Sequence, residues 1–250
     1  MSVSKRPKLV VGNWKMNGLR RDLAELTAIG EIGTACAPVQ VAVAMPSPLI
    51  YPAARAAPGL QVGAQDIHPE SGGAFTGGVS AAMVRDAGGG FALVGHSERR
   101  LSCGETDAIV QAKASAARRD GLSAILCVGE EAAARGQGQA ETIVGRQLEA
   151  SLPSTGDGAW LSIAYEPIWA IGAGHTPTLV EIAAMHAVIR RHCVVRLGEV
   201  GRSVRLLYGG SVTGANAGAI LGLADVDGVL VGGASLRAAT FAPIVRAAIR

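Results

Sequence analysis

The stretch VRLLYGGSVTGANAGAILGLADVDGVLVGG, residues 204–233, decides the fold. It holds two apolar, strand-like runs, VRLLYGG (204–210) and DGVLVGG (227–233), each closed by a glycine pair. Between them, residues 214–222 include three Ala with Ile and Leu and read as a helix. A strand, a helix and a second strand in so short a span form a βαβ unit, and such units build a parallel sheet.

The same alternation extends upstream. Six further strand-like runs are KLVVGN (8–13), VQVAVAM (39–45), LQVGA (60–64), FALVG (91–95), SAILCVG (123–129) and WLSIAYE (160–166). Helix-like segments fall between and after them, clearest at 105–120 and 179–197, with others near 20–32, 49–57, 79–87, 131–150 and 239–249. Eight βα units in 250 residues, with no linker or shift of composition, predict one closed (β/α)8 barrel domain over 1–250. An open doubly wound sheet is the alternative, but no GxGxxG follows the first strand.

Composition narrows the classes. Hydrophobic residues make up 49% and aromatics only 4%, so Ala, Val, Leu and Ile must fill the core. No apolar run approaches the roughly 18 residues of a membrane helix, and the N-terminal apolar run is too short for a signal peptide. Cys36, Cys103, Cys127 and Cys193 are scattered without metal or disulfide spacing, and a cytoplasmic location is expected. The net charge of +3 suits small anions, and no basic run with interleaved aromatics suggests nucleic acid. Only four of 23 basic residues are lysine, which singles out Lys15 inside NWKMN as a compact ammonium where Arg is otherwise the habit.

A (β/α)8 barrel carries its active site at the C-terminal ends of the strands. Those ends hold Asn13-Trp14-Lys15, His96-Ser97-Glu98, Cys127, Glu166, Gly209-Gly210-Ser211 and Gly232-Gly233. The glycine pairs after strands 7 and 8, each with a helix soon after, suit a phosphate cradle, although tight βα turns would look alike. His96 stands where a helical turn begins, so N–H groups aimed at its ring would favour neutral imidazole. The histidines show no HxH or HExxH spacing, so no metal site is expected, and no cofactor motif appears. Glu98 reads equally as a first-turn acid and as an ion-pair partner of Lys15.

Glu166 ends a strand and is followed by PIWAIGAG, an almost uncharged, glycine-jointed loop suited to covering something. Burial beneath such a cover is expected to raise the Glu166 pKa, which suits a general base; a packed structural Glu is the alternative. A carboxylate base, a neutral hydrogen-bond donor, an ammonium and a phosphate cradle together fit proton abstraction beside a carbonyl. The enediolate would be stabilised by Lys15 and His96. A closing loop would shut out water and suppress loss of phosphate, with Gly172 donating its N–H to the phosphate and Ile171 shielding Glu166.

The motifs GNWKMN (12–17), AQDIHPESGGAFTG (64–77), VGHSERR (94–100), GETD (104–107), CVGE (127–130), AYEPIWAIGAG (164–174), YGGSV (208–212) and VGGASL (231–236) resemble, in order and spacing, the triosephosphate isomerase family over essentially the whole chain. A Glu base, a neutral His and a closing loop are that family's established roles and not predictions from this sequence. The resemblance implies a TIM barrel and a cofactor-independent aldose–ketose isomerase. The expected reaction interconverts dihydroxyacetone phosphate and D-glyceraldehyde 3-phosphate in glycolysis and gluconeogenesis. Carried over by position, Glu166 moves the proton, His96 serves the oxygens, Lys15 and Asn13 bind substrate, and Gly172, Ser211, Gly232 and Gly233 hold the phosphate. Residues 167–177 resemble the mobile lid. HPESGGAFTGG, within 66–80, resembles the loop through which the family forms homodimers. Ala173, His175 and Gly78 depart from frequent family residues at the lid and the interface. An isomerase of a four-carbon sugar phosphate and a non-catalytic phosphate-binding barrel are the competing readings. A Schiff-base aldolase is disfavoured because no lysine follows Lys113.

Overall fold

A computed structural model describes residues 6–170 and 177–249. Eight strands close on themselves in sequence order: β1 Leu9–Asn13, β2 Gln40–Met45, β3 Gln61–Ala64, β4 Phe91–Val94, β5 Ser123–Val128, β6 Leu161–Tyr165, β7 Arg205–Tyr208 and β8 Gly228–Val231. Every pairing is parallel, and Leu9 of β1 meets both Gln40 of β2 and Gly228 of β8, which closes the cylinder. The strands are the eight runs read from the sequence, each shortened by one to three residues in all.

The wall of helices comprises α1 Leu23–Ala35, α2 Ile50–Ala56, α3 Ala81–Asp86, α4 Ser97–Cys103, α5 Asp107–Arg119, α6 Ala132–Gly136, α7 Ala140–Ser151, α8 Leu179–Leu197, α9 Ala217–Leu221 and α10 Ala238–Ala247. The segment expected as one helix over 131–150 is two. Gly138 adopts φ 70°, which breaks the helix between α6 and α7. The SERR turn grows into α4 and stops at Gly104, in the left-handed conformation of a helix C-terminus.

Strand alternation splits the core in two. One set, including Val10, Val43, Leu126, Ile163 and Tyr208, meets the helices. The other fills the barrel: Leu9 and Val11, Phe91 and Leu93, Ile125, Leu207 and Leu230, with small Ala42, Ala44 and Ala164 between them. Gly63 has no side chain because the Phe91 ring occupies that space. This plugged interior separates the two mouths of the barrel.

Candidate active site

At the end of β1, Asn13 and Trp14 are buried. The Trp14 indole N–H donates to the Ser235 carbonyl at 3.0 Å and ties this strand to the turn after β8. Lys15 has φ 51°, a conformation that residues other than glycine seldom adopt. Two side chains hold it there. Asn13 Oδ1 accepts the Lys15 N–H at 2.9 Å, and the Gln65 amide donates to the Lys15 carbonyl at 2.8 Å and to the Ala44 carbonyl at 3.1 Å. The Lys15 ammonium donates to Glu98 Oε1 at 2.6 Å, and Glu98 is also an acid in the first turn of the helix that follows β4, so both readings of it hold.

His96 is the N-cap of α4. Its Nδ1 accepts the Glu98 N–H at 3.3 Å, so the proton of a neutral ring sits on Nε2. Nε2 lies 3.0 Å from Glu166 Oε1, and the other Glu166 oxygen accepts the Ser97 N–H at 2.8 Å. The Glu166 side chain is only 2% exposed. Burial pushes its pKa up, but the His96 ring and the Ser97 N–H together outweigh burial and the net direction is down. The raised pKa expected from the sequence is therefore not what this arrangement gives. The partner moves the other way. Burial lowers His96, while the charge and hydrogen bond of Glu166, with Glu98 beyond, carry it above its ordinary value.

These groups share one cleft of about 470 Å³ with Ser211 and the glycines of the seventh and eighth strand ends. A Cβ at Gly233 would meet nothing within 4 Å, and one at Gly232 only the Lys15 Cε at 3.7 Å. Packing does not demand glycine at either position, although the Gly232 backbone, at φ −80° and ψ −118°, lies outside the regions open to other residues; the bare backbone of both faces the cleft. Gly210 differs, because a Cβ there would collide with the Tyr208 hydroxyl. The structure thus brings Asn13, Lys15, His96, Glu166, Ser211, Gly232 and Gly233 to one rim. Gly172 and Ile171, like Ala173 and His175, lie outside the described residues.

Glu130 had no role in the sequence reading. It is buried, and its Oε1 accepts from the Tyr165 hydroxyl at 3.0 Å, the Trp169 indole at 2.9 Å and Arg135 at 3.1 Å. The Arg135 guanidinium covers the Trp169 ring at 4.5 Å and reaches Glu181 at 2.6 Å. One carboxylate thus fastens the short turn Ile168–Ala170 that leaves the Glu166 strand. Cys127 lies beside Glu166, where burial and then the carboxylate push its thiol well up, so it stays protonated. Among the described residues no group of three or more His, Cys, Asp and Glu is placed to hold a metal ion.

A family model, "Triosephosphate isomerase", matches residues 8–248. This chain belongs to the triosephosphate isomerase family. Relatives of that name from Afipia carboxidovorans and Dinoroseobacter shibae are 53% and 51% identical, over 96% and 97% of this chain and 96% and 99% of their own lengths. The crystal structure of triosephosphate isomerase from Bartonella henselae superimposes with a TM-score of 0.90 at 39% identity, covering 96% of this chain and 98% of that one. The closed barrel is the architecture expected of a triosephosphate isomerase family member. No helix among the described residues is long and apolar enough to cross a membrane.

Proposed function

We propose that Glu166, His96 and Lys15 carry out the isomerisation characteristic of the family. The chain is an intramolecular aldose–ketose isomerase that interconverts dihydroxyacetone phosphate and D-glyceraldehyde 3-phosphate. Glu166 removes a proton from the carbon beside the carbonyl. The electron pair moves onto the carbonyl oxygen, giving an enediolate, and Glu166 returns the proton to the neighbouring carbon. His96 Nε2–H and the Lys15 ammonium face the oxygen that becomes negative. Ser211, Gly232 and Gly233 take the phosphate, joined by Gly172.

The observation that carries this reading is the 3.0 Å contact between His96 Nε2 and Glu166 Oε1, in the same cleft as Lys15 and the bare glycines. It also explains the direction of the Glu166 pKa. A substrate oxygen that takes the His96 Nε2–H displaces Glu166 from the donor that holds its pKa down, while burial, which acts upward, remains. The base strengthens where it is needed. For His96 the loss of Glu166 removes the main upward influence and leaves burial and Lys15, which favour neutral imidazole, against the charge of Glu98.

We further infer a single domain over 1–250, a cytoplasmic enzyme and a homodimer joined through the 66–80 loop. The last is supported by Phe75 on that loop and by Met16 beside Lys15, which are 45% and 96% exposed. The test is isomerisation by purified protein of glyceraldehyde 3-phosphate beside a four-carbon ketose phosphate. Fast turnover of the three-carbon substrate is expected. Preference for the four-carbon substrate would keep the base and overturn the substrate.

A further inference from the structure

The mouth opposite the catalytic rim holds a second cavity, of about 280 Å³. Its polar walls come from the starts of strands: Gln40 opens β2, Gln61 β3, Ser123 β5 and Arg205 β7, and Ser162 is second in β6. Strand alternation puts them on the face of Ala42, Gly63, Ile125, Leu207 and Ala164, which is the barrel interior. Ser162 and Arg205 are register partners on adjacent strands. The floor is apolar, formed by Leu9, Phe91 and Ile125.

The protein uses none of these polar groups. Among the described residues, the side chains of Gln40, Gln61, Ser123, Ser162 and Arg205 make no hydrogen bond or ion pair. Arg205 is half-buried, and burial pushes its guanidinium down while Asp227 pulls the other way. Asp227 is already engaged, by Arg6 at 2.8 Å, Arg190 at 3.0 Å and the Leu206 N–H at 2.9 Å. Trp160 also lines the cavity, and its buried indole N–H has no acceptor. Buried donors without partners are costly, and a half-buried guanidinium without a counter-ion more so. Of the donors around this cavity the Trp160 N–H and Ser162 are buried, Ser123 and Arg205 are half-buried, and Gln40 and Gln61 stand exposed at its mouth; together they describe the complement of an acceptor-rich ligand.

We infer that this mouth binds a small organic carboxylate. Its two oxygens pair with the fork of Arg205 and accept from Ser123, Ser162 and the Gln40 and Gln61 amides, while its carbon chain lies on Leu9, Phe91 and Ile125. A carboxylate fits better than a phosphate. One guanidinium matches one negative charge in a two-pronged geometry, whereas a phosphate dianion would keep a charge unpaired over an apolar floor. The cavity falls just below the range of about 300 to 1,000 Å³ for drug-sized ligands, which suits a metabolite of a few carbons.

The three tryptophan indoles report on the site independently. Trp14 and Trp169 are bonded to Ser235 and Glu130 at the catalytic rim, and Trp160 lies at the opposite mouth. Nitrogen-15 spectra of the wild-type protein are recorded while butyrate is added, with inorganic phosphate in a parallel titration. The Trp160 indole signal is expected to shift saturably with butyrate, with Trp14 and Trp169 as controls. Arg205→Gln should weaken that response about tenfold or more, the size of a lost charge-assisted contact, and leave the isomerase rate unchanged. Ser123→Leu, which fills the cavity from its wall without touching Arg205, should abolish it as well. A Trp160 signal that ignores butyrate in the wild-type protein overturns the site. A response undiminished in both variants overturns the residues named, and an equal response to phosphate overturns the carboxylate assignment.

Discussion

Lys113→Met probes the buried charge cluster that roots the 66–80 loop. The Lys113 ammonium lies 2.5 Å from Asp66 Oδ1 and 2.6 Å from Glu105 Oε1, with side chains 6%, 24% and 4% exposed respectively. Arg99 reaches the same two carboxylates, at 2.9 and 2.5 Å. Methionine keeps the length of the side chain and removes the charge. Breaking a buried ion pair costs about 3–5 kcal/mol. Arg99 still serves both acids here, so a loss below that range is expected, about 2–3 kcal/mol. In a chain of this size that lowers Tm by about 4–12 °C in scanning calorimetry. The acids also set a pH signature. Burial pushes Glu105 up, but Lys113 and Arg99 outweigh it and hold it below its ordinary 4.5; its stabilisation is present above that value and lost as pH falls through the folded value. Asp66 goes the other way, because burial outweighs Lys113, so its ionisation costs stability that is recovered on acidification. The gap between wild type and variant should therefore narrow in acid. A Tm within about one degree of wild type at neutral pH, or a higher one, would mean that burial of these charges outweighs their attraction, the opposite of what is expected.

A Cβ at Gly129 would overlap the Glu166 carbonyl oxygen and lie 2.8 Å from its carbonyl carbon, so Gly129→Ala must displace the base; kcat should fall about 100-fold per ångström of displacement, read by steady-state kinetics, with about 1–3 kcal/mol of stability lost. The His96–Glu166 pair should stabilise the ligand-free protein most between about pH 4.5 and 6.5. His96, raised from 6.5, contributes below that value and loses its contribution as pH rises through the folded pKa. Glu166, lowered from 4.5, contributes above that value and loses its contribution as pH falls through the folded pKa. Denaturant unfolding of wild type and Glu166→Gln across pH reads this as a difference largest in that window, and a flat difference would contradict it.

The barrel was legible because its strands are short apolar runs set between helices rich in Ala, Leu, Glu and Arg. The rim was legible because Lys15, His96 and Glu166 differ in chemistry from everything around them in the strand ends. What escaped the sequence depends on contacts between distant segments. Gln65 clamps the left-handed Lys15 backbone from 50 residues away, and Glu130 gathers Tyr165 and Trp169, 35 and 39 residues further on, with its neighbour Arg135. Neither has a local pattern, although both stand inside quoted motifs. The Glu166 pKa was misjudged for the same reason: burial is foreseeable from a strand end, whereas a His96 ring 70 residues earlier is not. The split at Gly138 was visible as GQGQ and was overridden by the helix-forming residues on both sides.

The most direct test of the catalytic assignment is the rate at which Glu166→Gln isomerises glyceraldehyde 3-phosphate, measured beside its affinity for a phosphate-bearing substrate analogue. Glutamine keeps the shape and removes the base. Turnover is expected to fall at least about 100- to 10,000-fold while the analogue still binds. Turnover near that of the wild type would contradict it, because the proton would then be moved by another group.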